Sequence, residues 1–210
     1  MTAVQKTLVI VLACIAVVLG LTINKVLNAP GGDRTAERLD AGIVLLQSPR
    51  EMPAVELINH DGQSQALNQL KGQWRLVFFG YTFCPDICPT TLADLRQIKT
   101  QLPENIAKQL QVVMITVDPK RDTSSQLKQY LGYFDQSMLG LTGSPEAIQQ
   151  AATAMGVPFI PVANDAAENY LVDHGANLAI IAPDGRQQGF IRAPLRKDKL
   201  VLELPNLIQP

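Results

Sequence analysis

Two cysteines spaced four residues apart are the side chains of this sequence best suited to chemistry. Cys84 and Cys88 lie in the segment GYTFCPDICP (residues 80–89), which leaves a predicted buried strand and enters a predicted helix. Residues four apart lie on one face of a helical turn, so both sulfurs can point at a common atom. A helix N-terminus also favours thiolate over thiol. The reduced pair therefore predicts a soft-metal site, for Cu(I) or Zn(II), and the oxidised pair can close a small disulfide ring.

Two thiols rarely suffice to hold a metal ion, and the chain has only two histidines that can join them. His174 lies at the end of a strand predicted over residues 170–174, where α/β folds collect their sites. His60 lies in an Asp-Gly turn and is interpreted as an exposed turn residue. Cys84, Cys88 and His174 would make a three-coordinate centre with two sulfur ligands and one nitrogen ligand. Such a set excludes a closed four-ligand structural zinc site unless another group joins it.

Acidic residues next to these three side chains are candidates for orienting the ligands. Asp86 lies between the two cysteines and Asp173 directly precedes the histidine. Each of them either orients a ligand or is a solvated loop acid. The segment VDPKRDT (residues 117–123) follows another predicted strand, and it either flanks the site or forms a plain loop. Cys14 is interpreted as a small apolar residue without a role in the chemistry.

Alternating strands and helices are predicted along most of the chain. Strands are predicted over residues 42–46, 55–59, 64–66, 76–81, 110–117, 139–141, 170–174, 178–182 and 189–192, and helices over residues 89–102, 124–134, 144–155 and 195–207. Ser124 is a candidate N-cap of the second of these helices, and Gly156 is predicted to end the third. This order predicts a three-layer α/β domain with a mixed central sheet covered by helices on both faces.

The N-terminal segment is apolar enough to cross a membrane. Residues 7–24 carry no charge and would span roughly 27 Å as a helix, close to the thickness of a bilayer's hydrocarbon core. An uncleaved anchor is favoured because the run is long and no Ala-x-Ala pattern follows it, with a cleaved signal peptide or a lipoprotein as alternatives. We therefore predict an anchor over residues 1–27, a linker over 28–50 and a globular domain over 51–210.

The features that flank this segment indicate where the globular domain lies. A short N-terminal tail normally stays in the cytoplasm, and no Arg- and Ser-rich transit peptide precedes the apolar run. We expect a single-pass protein of the bacterial inner (cytoplasmic) membrane with its domain in the periplasm.

The overall composition excludes several other classes of protein. Apolar residues make up 47% and charged residues 18% of the 210 residues, which excludes a disordered chain. The net charge of −1 gives no support for nucleic-acid binding. Three cysteines are too few for a small domain stapled by disulfides.

Three separated motifs, GYTFCPDICP, VDPKRDT and YLVDHG, follow the N-terminal span in this order and resemble the Sco/SenC family of copper chaperones for cytochrome c oxidase assembly. The resemblance covers residues 50–205 and implies a thioredoxin-like fold. It also implies that Cys84, Cys88 and His174 bind one copper ion per chain, as Cu(I), Cu(II) or both. The implied partners are other copper carriers and the dinuclear copper site of oxidase subunit II. Gly175 departs from the family pattern, in which a hydroxyl residue often follows the histidine.

Two further functions remain open beside that of a copper-delivering protein, which would not be a turnover enzyme. A thiol–disulfide oxidoreductase would use a redox-active Cys84–Cys88 disulfide on the cysteines of subunit II or of another periplasmic partner. Such an enzyme more often carries Cys-x-x-Cys and does not need His174. A thiol peroxidase would need one peroxidatic cysteine with supporting Thr and Arg residues, which the sequence does not allow us to assign.

Overall fold

The computed structural model describes residues 2–27, 34–160, 172 and 175–209. It divides into two compact units, one up to Ala36 and one from Glu37 onward. The first unit contains helix α1 (Ala3–Leu27), and its stretch Val4–Leu21 is long and apolar enough to cross a membrane. That statement rests on length and composition, and an N-terminal signal sequence passes the same test.

A mixed β-sheet forms the centre of the second unit, as predicted. Its strands within the described residues are β1 (Ile43–Arg50), β2 (Glu56–Asn59), β3 (Ser64–Ala66), β4 (Trp74–Gly80), β5 (Leu110–Thr116), β6 (Leu139–Thr142), β7 (Leu178–Ile181) and β8 (Gln187–Ile191). They lie in the order β1-β8-β7-β4-β5-β6-β2-β3. Strand β5 runs parallel to both β4 and β6, and the other neighbouring strands are antiparallel.

Helices connect and cover the strands. They are α2 (Thr35–Asp40), α3 (Ile87–Gln101), α4 (Glu104–Ala107), α5 (Ser124–Gly132), α6 (Pro145–Met155) and α7 (Lys197–Ile208), and a short 3₁₀ turn covers Leu67–Gln69. Helix α3 packs against α7, and α5 packs against β6. The α6 boundaries follow the sequence closely: the Ser144 hydroxyl accepts a hydrogen bond from the Ala147 N–H, and Gly156 ends the helix with a φ of +67°.

The central strand pair positions the cysteine segment. Strands β4 and β5 are apolar runs buried along nearly their whole length, which is typical of parallel strands covered on both faces. Their register places Gly80, the last residue of β4, opposite Thr116, the last residue of β5. The segments that follow both strands therefore leave the sheet side by side, and the Val117 N–H donates to the Gly80 carbonyl at 2.9 Å.

Several local predictions need correction. Residues 43–50, predicted as linker with a short strand at 42–46, form β1, which pairs with β8 at the edge of the sheet. The N-cap of α5 is Thr123 and not Ser124, because the Thr123 hydroxyl accepts the Gln126 N–H at 3.2 Å. Helix α3 begins at Ile87, so Cys88 lies inside its first turn. The strand predicted over residues 170–174 lies outside the described residues except for Val172, which is not in a strand.

Candidate metal centre

The cysteine pair lies where β4 gives way to α3. Cys84 is half-buried in the turn that follows the strand, and its N–H donates to the Tyr81 carbonyl at 3.2 Å. Cys88 is fully buried in the first turn of α3. Both cysteines carry thiols, and the Cys88 thiol is hydrogen-bonded to the Cys84 side chain and to the backbone N–H of Tyr81. The structure thus brings the two sulfurs together on one side of the strand–helix junction.

Burial controls the protonation of the inner thiol. It raises the pKa of Cys88 far above its usual range, the neighbouring Cys84 raises that pKa further, and the N–H of Tyr81 lowers it only in part. The prediction that the helix N-terminus favours a thiolate is therefore wrong for Cys88, because desolvation of the anion outweighs the helix dipole. The raised pKa favours the neutral thiol form of Cys88.

Gly80 leaves the volume that the Cys88 sulfur occupies. A Cβ atom at position 80 would lie 2.9 Å from Cys88 Sγ and would also overlap the ring of Phe78. Both of those side chains are fully buried, so neither can move aside into solvent. The absence of a side chain at Gly80 is what allows the sulfur to lie against the end of β4.

Asp122 holds the turn before the cysteines in place. Its carboxylate accepts hydrogen bonds from the Thr82 N–H at 3.0 Å, from the Thr82 hydroxyl at 2.6 Å and from the Thr116 hydroxyl at 2.7 Å. The carboxyl is completely buried, and this burial raises its pKa. Of the two roles left open for the segment 117–123, the structure supports flanking the site, since Thr82 is two residues from Cys84.

Arg121 covers the outer side of the same turn. Its guanidinium is paired with the buried carboxylate of Asp118. It also lies 5.7 Å from the centroid of the Tyr81 ring and 5.0 Å from that of the Phe83 ring, distances at which cations and aromatic faces attract each other. Phe83 is about half exposed, so the surface beside Cys84 carries an aromatic ring, and the nearby Arg121 charge is neutralised by its ion pair.

The Tyr81 phenol connects the cysteine turn to a distant part of the chain. Its oxygen accepts a hydrogen bond from the Val172 N–H at 3.2 Å, and burial raises the pKa of this phenol, which keeps it neutral. Val172 is two residues before the predicted ligand His174. Asp173 and His174 themselves lie outside the described residues.

The other sequence candidates occupy less central positions. Asp86 is exposed directly before α3, and its side chain makes no capping hydrogen bond. His60 is not an exposed turn residue: its side chain is 15% exposed, and its Nδ1 accepts the Gly140 N–H at 3.2 Å. Within residues 2–27, 34–160, 172 and 175–209, no three Cys, His, Asp or Glu side chains are grouped to hold a metal ion.

The donor set fits a soft ion. Two adjacent sulfurs, one of them in a fully buried pocket beside Gly80, suit Cu(I) far better than Mg²⁺ or Ca²⁺. Gly80 and Tyr81 lie in the motif GYTFCPDICP and Asp122 lies in VDPKRDT, but sequence reasoning gave none of the three a role in the site.

A cysteine pair at a strand–helix junction is typical of a thioredoxin-like domain when the strand has a parallel neighbour on one side and an antiparallel neighbour on the other, and this chain has that arrangement. The SCO1/SenC family model matches residues 46–209, most of the chain. The chain belongs to the SCO1/SenC family.

Relatives and solved structures agree with this assignment. The chain is 46% identical over 176 residues to a putative copper-binding protein of Stutzerimonas stutzeri, covering 84% of this chain and 86% of that protein. It is 32% identical over 155 residues to the mitochondrial SCO1 homolog of Homo sapiens, covering 73% of this chain and 52% of that protein. This chain therefore spans about half the length of the human protein. The crystal structure of Arabidopsis thaliana ScoI with copper bound superimposes with a TM-score of 0.67 at 32% identity, covering 78% of this chain and 98% of that one.

Proposed function

We propose that this chain binds one copper ion through Cys84, Cys88 and His174 and delivers it to the dinuclear copper site of cytochrome c oxidase subunit II. The observation that carries the proposal is the pair of hydrogen-bonded thiols at the end of β4, with the inner sulfur seated against Gly80. Copper bound in the related Arabidopsis protein supports the choice of metal.

The contact between Tyr81 and Val172 supports His174 as the third ligand. It ties the chain at position 172 to the turn that precedes Cys84. Two residues of chain span at most about 7 Å, so chain length allows His174 to reach the side of the domain where that turn lies. Imidazole nitrogen is a suitable ligand for both oxidation states of copper.

The unequal burial of the two cysteines supports delivery by ligand exchange. Cys88 is buried and would hold the ion from inside, whereas Cys84 is only partly buried and would be the sulfur that an incoming thiolate approaches. A three-coordinate ion leaves room for one acceptor ligand before a donor ligand departs. The aromatic surface at Phe83 and Arg121 beside Cys84 is where the acceptor would approach.

Helix α1 supports a membrane location. We propose that residues 1–27 anchor the chain in the inner (cytoplasmic) membrane of a bacterium, and that a linker ending before β1 holds the domain in the periplasm. Subunit II and other copper carriers would then meet the domain on the same side of the membrane. Asp86 and Asp173 are proposed to orient the ligands beside them.

Copper titration of the full chain in detergent micelles tests the ligand set. We expect one copper per wild-type chain, and a loss of Cu(I) affinity of more than about 100-fold in His174→Ala, because even an indirect supporting residue changes metal affinity by 10- to 100-fold. His60→Ala is the matched control, and Cys14→Ser should also bind like wild type. X-ray absorption of the reduced protein should give two sulfur ligands and one nitrogen ligand. Unchanged affinity in His174→Ala would reject the three-ligand site.

Thiol–disulfide exchange is a second candidate, favoured by the same pairing of an accessible and a buried thiol. The Cys84 thiolate would attack a partner disulfide, forming a mixed disulfide and releasing one partner thiolate. The Cys88 thiol would lose its proton and attack Cys84, releasing the second partner thiol. The partner is thereby reduced by two electrons and the pair is oxidised to a disulfide. A partner-disulfide assay should lose activity with either cysteine changed to Ser and keep it in His174→Ala.

A further inference from the structure

Tyr130 of α5 carries a buried hydroxyl that lacks a hydrogen-bond partner among the described residues. Its ring packs edge-on against Phe134, with the two centroids 5.4 Å apart. Buried polar groups are nearly always paired, and leaving one unpaired destabilises the folded state. A phenylalanine would fill the same space without that penalty, so the groups that could accept a hydrogen bond from this hydroxyl are of interest.

The face of α5 that carries Tyr130 is turned towards the cysteine segment. Gln126 lies one helical turn earlier on this face, and its side-chain N–H donates to the Thr82 hydroxyl at 3.5 Å. Tyr130 packs against the same apolar core that contains Cys88 and borders Cys84. Burial raises the pKa of the Tyr130 phenol, and Cys88, Cys84 and Asp122 are near enough to raise it further. The hydroxyl thus remains a protonated donor.

The groups near this face of α5 that could accept a hydrogen bond from the Tyr130 hydroxyl differ in how many hydrogen bonds they already accept. Both oxygens of Asp122 already accept hydrogen bonds from Thr82 and Thr116. The two sulfurs are thiols, and a neutral thiol is a weak acceptor. Metal binding changes this, because it requires deprotonated cysteines, and a thiolate is a much stronger acceptor than a thiol.

We propose that Tyr130 is a positioning residue of the metal site, whose hydroxyl donates a hydrogen bond to a copper-bound thiolate of the Cys84–Cys88 pair. This inference rests on the proposed copper function. The bond would fix the orientation of the sulfur and withdraw electron density from it, as hydrogen bonds around metal-bound thiolates do in other copper sites. Copper binding would thus give the Tyr130 hydroxyl an acceptor that it does not have among the described residues.

The Tyr130→Phe variant of the full chain in detergent micelles tests this role. We expect Tyr130→Phe without copper to be as stable as wild type or more stable, since the change removes only a hydroxyl that has no hydrogen-bond partner among the described residues. We expect its Cu(I) affinity to fall by about 10- to 100-fold. The thiolate-to-copper absorption band of its Cu(II) form should move to lower energy, because the sulfur orbitals are no longer stabilised by the hydrogen bond.

Tyr133→Phe is the matched control, because Tyr133 directly follows α5 and is 74% exposed. It should leave stability, affinity and the absorption band unchanged. If wild type binds copper and Tyr130→Phe has the same affinity and the same band, the inference is overturned while the proposed function stands. If Tyr130→Phe loses stability without copper, Tyr130 has a purely structural role and the inference is equally overturned. If wild type binds no copper, the proposed function fails first.

Discussion

Replacing Gly80 with alanine tests whether the end of β4 sets the position of the inner sulfur. The added Cβ would lie 2.9 Å from Cys88 Sγ, whereas ordinary contacts of a Cβ begin near 3.4 Å. The sulfur or the strand must therefore move by at least about 0.5 Å in a close-packed interior. The Phe78 ring lies even nearer to the added atom than the sulfur does, so it must be displaced as well.

Two effects of Gly80→Ala follow from this displacement. Overpacking of a buried site costs about 1–3 kcal/mol of folding free energy, which for a domain of this size lowers the Tm by about 2–12 °C. A metal site tolerates a ligand displacement of only about 0.5 Å, so Cu(I) affinity should fall by at least about tenfold. Thermal unfolding of the metal-free chain and competition with a Cu(I) chelator measure the two effects separately.

Gly132→Ala is the matched control, since an alanine there would meet no atom within 4 Å and the residue ends α5. That change should leave copper affinity as it is and stabilise the chain by up to about 1 kcal/mol, the difference between Gly and Ala in a helix. The reasoning is refuted if Gly80→Ala keeps both the stability and the copper affinity of wild type, while the control behaves as expected.

Two more predictions concern protonation near the site. Iodoacetamide at neutral pH should modify Cys84 well before Cys88, because Cys88 is buried and its pKa is raised. Peptide mapping by mass spectrometry measures the two rates of modification, and equal rates would contradict a neutral, buried Cys88 thiol. The pKa of Asp122 is raised in the folded state, so the folded protein holds the Asp122 proton more tightly than the unfolded chain does. The protonated carboxyl therefore contributes to folding stability in full below the unfolded pKa of 3.8, and this contribution is lost as the pH rises through the folded pKa. Urea unfolding of Asp122→Asn should lack that part of the pH dependence of stability. Its free energy of unfolding should also be lower by about 1 kcal/mol, because an amide offers one acceptor oxygen instead of two. An unchanged dependence of stability on pH would refute the raised pKa of Asp122.

The sequence alone determined the alternation of strands and helices, the mixed sheet and the place of the cysteine pair. These features follow from local patterns: apolar runs mark β4 and β5, and the residues that cap and end α6 lie next to it in the chain. The cysteine motif is equally local, since both thiols lie within one strand–helix junction. Local patterns were weaker at the edge of the sheet, where β1 is half exposed and its pairing with β8 joins residues far apart in the chain.

Only the tertiary structure decided the surroundings of the sulfurs. Asp122 reaches Thr82 across 40 residues and Tyr81 reaches Val172 across 91, and both contacts depend on how strands and loops are arranged in space. The same holds for the protonation of Cys88: its place at a predicted helix N-terminus favoured a thiolate, but its complete burial behind Gly80 raises the pKa of the thiol. Spacing along the chain shows which side chains can meet, whereas packing decides how much water reaches them and therefore which charges they carry.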